Sequence, residues 1–163
     1  MHASSNFVIL LDGKKKDREA VAKMLSEYLD EAESNKKFVF EETYEVVWLE
    51  DIVSLCEEMA NTAPDIKFVV SGYVDCSENS GEFMDFGIIY KNGKLTTYSS
   101  DWLGYDDLEQ NEDGGLEESD EMGRYDRFLE LQDLELDNVK EAMQFVIDDI
   151  KGRQWLNKPK SEV

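Results

Sequence analysis

Phe7-Val8-Ile9-Leu10-Leu11-Asp12-Gly13 is an unbroken apolar run closed by a turn dipeptide. So short a run, bounded by Asp-Gly, reads as a buried strand followed by a turn. Downstream, Val21, Met24, Leu25, Tyr28, Leu29 and Ala32 recur at the spacing of one helical face, which predicts a helix from Asp17 to about Glu33. Phe38–Phe40 and Tyr44–Leu49 are rich in β-branched and aromatic residues, with Tyr44, Val46 and Trp48 on one face by period two; they predict one long bent strand or two short ones. A second helix starts at Glu50-Asp51, carries an inner stripe of Ile52, Leu55, Cys56, Met59 and Ala63, and stops at Pro64. Strands follow at Ile66–Val74, Phe83–Tyr90 and Leu95–Tyr98. Asn92-Gly93 stands between the last two, where a type I′ hairpin turn needs positive φ twice. A final helix runs from about Asp137 to Lys151, with Gly152 just past its end as a C-cap. The order implies an α+β two-layer sandwich with a mixed or mostly antiparallel sheet and helices mainly on one face. No repeat or linker divides the chain, so it reads as a single domain over residues 1–163 with a loose tail at 152–163.

Composition excludes several chemistries. The 163 residues contain 38 Asp plus Glu against 17 Lys plus Arg, a net charge of −21. A basic patch that neutralises phosphates is unexpected at that balance, so neither direct nucleic-acid binding nor a polybasic membrane anchor is expected. The one histidine is His2, next to the chain start, which leaves no imidazole for a triad, a metal site or a general base. Cys56 and Cys76 are too few for a disulfide framework and read as buried reduced thiols. Cys56, beside Glu57 and Glu58 on an apolar stripe, has its thiolate disfavoured and is no nucleophile. Phe7–Leu11 is too short for a signal-peptide core, and no stretch approaches the ~20 apolar residues of a membrane span. The expectation is a cytoplasmic protein.

Charge is unevenly placed. Residues 1–100, 101–150 and 151–163 carry net charges of −9, −15 and +3. From Asp101 to Gly123 there are ten acidic residues and no Lys or Arg, so this stretch self-repels and is expected to form an acidic loop insertion. A solvated, solubilising insertion is the plain reading. The sharper one is a docking surface for a basic protein such as a nuclease or another nucleic-acid-binding protein. Asp106, Asp107, Glu109, Glu112, Asp113, Glu117, Glu118, Asp120 and Glu121 would supply charge, with Tyr105 as an aromatic anchor beside Trp102 and Tyr125. Glu109, Asn111, Asp113, Gly114, Leu116 and Asp120 also follow part of the Ca²⁺-loop pattern of an EF-hand, with Glu at position one and the short Asp at position twelve. That alternative is a small ligand- or Ca²⁺-binding domain; no metal site is assigned.

No cofactor motif is present: Ser71-Gly72, Gly81 and Gly87 form neither a phosphate loop nor a dinucleotide fingerprint. Asp75, Glu78, Glu82 and Asp85 flank the Ser77–Gly81 turn, but nothing in the sequence indicates the apolar pocket that would split two carboxyl pKa values. No catalytic residue is assigned and a non-enzymatic protein is expected. The stretch from Tyr44 to Leu95 combines a helix ending at Pro64, Ile66-Lys-Phe-Val, Tyr73, and Gly81-Glu-Phe-Met-Asp-Phe-Gly-Ile-Ile-Tyr-Lys-Asn-Gly93. It resembles the YubP-like ferredoxin-like domains of phages and plasmids, although Trp48-Leu-Glu stands where that family has Trp-Ser-Pro. The resemblance covers about a third of the chain, and implies a ferredoxin-like variant of the sandwich and a mobile-element origin without carrying over any functional residue.

Overall fold

The computed structural model describes residues 3–28, 35–76, 82–104 and 118–153. Five strands, β1 (Ser4–Asp12), β2 (Lys37–Thr43), β3 (Lys67–Cys76), β4 (Glu82–Lys91) and β5 (Lys94–Ser99), form an antiparallel sheet in the order β2-β1-β3-β4-β5. The two-residue β6 (Leu103–Gly104) pairs with β4 past the end of β5. Helices α1 (Lys15–Leu25) and α2 (Leu49–Thr62) separate the first three strands, and α3 (Glu118–Gln132) and α4 (Val139–Gly152) close the chain. The α+β class and the antiparallel sheet stand as expected, but this strand order does not confirm a ferredoxin-like arrangement.

Helices cover both faces, which corrects the two-layer expectation. Phe7, Ile9 and Leu11 join Phe38, Phe40, Phe68, Val70 and Phe86 in a core capped by Val21, Leu25, Ile52, Leu55 and Met59 of α1 and α2. Val8 and Leu10 point the other way, with Val69, Tyr73 and Ile89, onto Phe128 and Leu131 of α3 and Met143, Val146 and Ile150 of α4. The apolar run of β1 is unbroken because alternate side chains fill two different cores. Phe7 stacks on Phe40 at 4.4 Å between ring centroids, and each such fully buried ring contributes roughly 1.5–3 kcal/mol.

Four local expectations also change. Tyr44–Leu49 is not a strand: β2 stops at Thr43, and Val46 and Val47 are buried by a bend leading into α2. α1 ends at Leu25, with a turn to residue 28; the rest of the expected helix lies outside the described residues. A helix, α3, occupies 118–132, where none was expected. Gly152 is the last residue of α4 where a C-cap was expected, with Arg153 as an extended, buried C-cap, and the rest of the expected tail, residues 154–163, lies outside the described residues. The Asn92-Gly93 turn is as expected, with φ of 55° and 78°.

Candidate functional site

Strand register sorts the charged residues to opposite ends of the sheet. Asp12 pairs with Lys67, Leu10 with Lys37 and Lys91 with Lys94, so lysines mark one end. At the other end Ser4 pairs with Asp75 and Ser5 with Thr43, directly after Glu41 and Glu42, while Cys76 pairs with Glu82. Residues 38–66 run along β2 to this second end, round it and return through α2, with eight acidic residues and no Lys or Arg, of which Asp65 is back beside Lys67 at the lysine end. The 101–123 stretch starts at the same end, immediately after β5.

A β-bulge shapes this acidic end. Ser5 opposes Thr43 and Phe7 opposes Phe40, so two residues, Glu41 and Glu42, stand opposite the single Asn6. Glu42 takes a left-handed φ of 45°, which costs a non-glycine residue roughly 1–2 kcal/mol. Its N–H donates to the Oδ1 of buried Asn6 at 2.9 Å. Glu41, Glu42, Tyr44 and Glu45 are exposed, Tyr44 at 67%. Trp48, the N-cap residue of α2, meets the ring of Trp102 edge-on at 6.2 Å. That contact joins the first acidic stretch, with Glu50 and Asp51 beside Trp48, to the start of the second, where Asp101 and Trp102 are exposed.

The two boundaries of the 101–123 stretch are held by one residue, Asp85 of β4. Ahead of the stretch, the Ser100 N–H donates to the Asp85 carbonyl at 2.8 Å, and the Asp85 N–H donates to Ser100 Oγ at 2.9 Å. Behind it, the Nε of Arg124 donates to both carboxylate oxygens of Asp85, at 2.9 and 2.7 Å. Arg124 also stacks its guanidinium over Phe83, 5.1 Å from the ring centroid. Asp85 is 2% and Arg124 6% exposed. Burial pushes the Asp85 carboxyl above its ordinary range, while Arg124, then Arg153 and Arg127, pull the other way. Three of the chain's four arginines thus act on one buried carboxylate. Arg153 is itself held by Asp149, with Ser71 Oγ at 3.4 Å, and Lys37 donates to the Leu134 carbonyl at 3.1 Å and to Gln132 at the far end of α3.

Of the residues expected to contact a partner, Tyr105, Asp106, Asp107, Glu109, Glu112, Asp113 and Glu117 lie outside the described residues. Glu118, Asp120 and Glu121 fall by backbone in the first turn of α3, and their side chains lie outside the described residues as well. Most of the EF-hand-like stretch is outside too. Among the described residues, no group of three or more His, Cys, Asp or Glu is placed to hold a metal ion. Asp85 is committed to Arg124. Cys56 and Cys76 are buried and outside any disulfide, the Cys56 thiol raised by burial and then by Glu57. Sequence reasoning missed the 38–66 stretch, whose absence of Lys and Arg was a usable signal, and the Asp85–Arg124 pair, which spans 39 positions and left none.

Among the described residues, no helix is long and apolar enough to cross a membrane. Comparison with protein-family models, with curated proteins and with solved structures finds no match to the chain.

Proposed function

We propose that this is a non-enzymatic acidic protein of the cytoplasm that occupies the basic nucleic-acid-binding surface of another protein, such as a nuclease, in the manner of a nucleic-acid mimic. The observation that carries the reading is the meeting of two acidic stretches free of Lys and Arg, 38–66 and 101–123, at the Trp48–Trp102 contact. A groove that holds duplex DNA is lined to meet one negative charge per ~1.7 Å of helix axis, and dense carboxylates on a rigid base offer it the same counter-charge. Asp85 supplies the base by holding both boundaries of the second stretch. Exposed Tyr44 and Trp102 offer the aromatic contact area that carboxylates lack. The strained Glu42 supports the reading further, since left-handed non-glycine residues concentrate at functional positions.

Lys37, Lys67, Lys91 and Lys94 stand at the opposite end of the sheet, a separation of charge along the strands that would orient approach to a basic surface and speed encounter. The YubP-like resemblance of residues 44–95 favours an origin on a phage or plasmid, and with it the role of an anti-CRISPR or other anti-defence inhibitor. The test is capture from bacterial lysate on immobilised protein, washed at low and then high salt, with duplex DNA as competitor. A nucleic-acid-binding protein that is retained, displaced by DNA and released by salt supports the proposal. Retention that DNA leaves unchanged contradicts it. A Ca²⁺-dependent rise in melting temperature without any retained protein would transfer the acidic stretch to the ion-binding alternative.

A further inference from the structure

At the lysine end, a cleft of about 160 Å³ opens between the sheet and the first turns of α4. Register builds its wall: Asp12 of β1 pairs with Lys67 of β3, the next row pairs Phe68 with Tyr90, and Lys91 follows on β4. Lys140, at the start of α4, closes the rim, and the side chains of Ile89 and Met143 from the α3–α4 core form an apolar floor. Among the described residues, none of the three lysines is in an ion pair, and neither is Asp12. In a chain of net charge −21, three unpaired lysines around one apolar recess are a local reversal of sign.

We propose that this cleft binds a small phosphomonoester, seating its phosphate among Lys67, Lys91 and Lys140 and its apolar body on Ile89 and Met143. Size and charge select this class. A cavity of roughly 150 Å³ accommodates a benzene ring, so the occupant is a single small ring or a short chain and not a nucleotide. Three lysines and one aspartate leave the rim at +2, which matches the charge of about −1.5 to −2 on a phosphomonoester at neutral pH. Lysine binds phosphate as a point charge from any direction, so ammonium groups on three separate elements suffice without the planar fork of arginine.

The test is titration calorimetry of the full chain at low salt with phenyl phosphate, inorganic phosphate and phenol as separate probes. Phenyl phosphate is expected to bind at least roughly tenfold more tightly than either of the others, because it alone engages rim and floor together. Lys67→Gln and Lys140→Gln are each expected to weaken it roughly tenfold, the worth of one charge-assisted contact. Both lysines are exposed, so these variants should melt like the parent chain. The proposal is overturned if phenyl phosphate shows no heat of binding at millimolar concentration. It is overturned equally if phenyl phosphate binds no better than inorganic phosphate, or if a Lys67→Gln/Lys91→Gln/Lys140→Gln variant binds it as the parent does. A chain altered at Glu41, Glu42 and Glu45 should bind the probe unchanged, which makes the result independent of the acidic-end proposal.

Discussion

The two ends of the sheet solve the same backbone problem with different residues. Among the described residues, each has one non-glycine residue in the left-handed region, Asn92 at the lysine end and Glu42 at the acidic end. Asn92 sits in a type I′ turn with Gly93, where its short side chain suits the conformation and the turn closes β4 onto β5 at little cost. Glu42 gains nothing comparable from its own side chain and relies on Asn6, which takes up its N–H from the neighbouring strand. The lysine end is therefore built from residues that favour its geometry. The acidic end holds a glutamate where glycine would be more comfortable, and carries a buried ion pair beneath it. Under the proposed function, that strain is the cost of placing charge on a contact surface.

The largest expected effect comes from removing the anchor of the acidic end. Arg124→Ala leaves the buried Asp85 carboxyl without its guanidinium partner, and should cost ~3–5 kcal/mol in urea unfolding. Replacing both partners, Asp85→Leu with Arg124→Met, should recover most of that loss, because the charges and their desolvation are removed together. Next, Asn6→Leu orphans the Glu42 N–H and should cost ~1–3 kcal/mol, whereas Lys94→Gln at the lysine end should change stability by less than ~0.5 kcal/mol. Third, Glu42→Gly should stabilise the fold by about 1 kcal/mol by relieving the left-handed strain, and should weaken partner capture by removing one carboxylate. Asn92→Gly, the matched change at the other end, should do neither.

The smallest effect is confined to alkaline solution. Burial, then the charge of Asp75, raise the Tyr73 phenol above its ordinary value. A folded value above the unfolded one means its contribution to stability is complete below pH ~10 and is lost as pH rises through the folded value. A phenolate absorbance titration should show one tyrosine ionising only with unfolding, and Tyr73→Phe should remove that step.

Much of the fold was legible in the sequence where one element decides its own outcome. The stripe of α2, the Asn92-Gly93 turn and the apolar runs of β3 and β4 all depend on local spacing and are found as expected. The error of layers was avoidable in physical terms: Phe7–Leu11 is apolar at both parities, and a strand that is apolar at both parities needs cover on both faces. α3 was concealed because Arg124 takes the first place in a buried stripe continued by Phe128 and Leu131, so charge stands where periodicity seeks an apolar residue. The acidic end was legible as composition in 101–123 and overlooked in 38–66, where acids are diluted by the apolar stripe of a helix. That Trp48 and Trp102 bring the two stretches together could not be read from either alone, since the pair forms only when the sheet closes.

The central claim is that the acidic end, and not net negative charge as such, makes the contact. The most direct test measures capture of the same basic partner by two charge-altered proteins: one with Glu41, Glu42, Glu45, Glu50 and Asp51 changed to Gln, the other with Lys67, Lys91 and Lys140 changed to Gln. The account predicts that the first loses most of its affinity and salt dependence while the second, although more negative overall, keeps both. Equal affinity in the two, or a loss confined to the lysine variant, would contradict it.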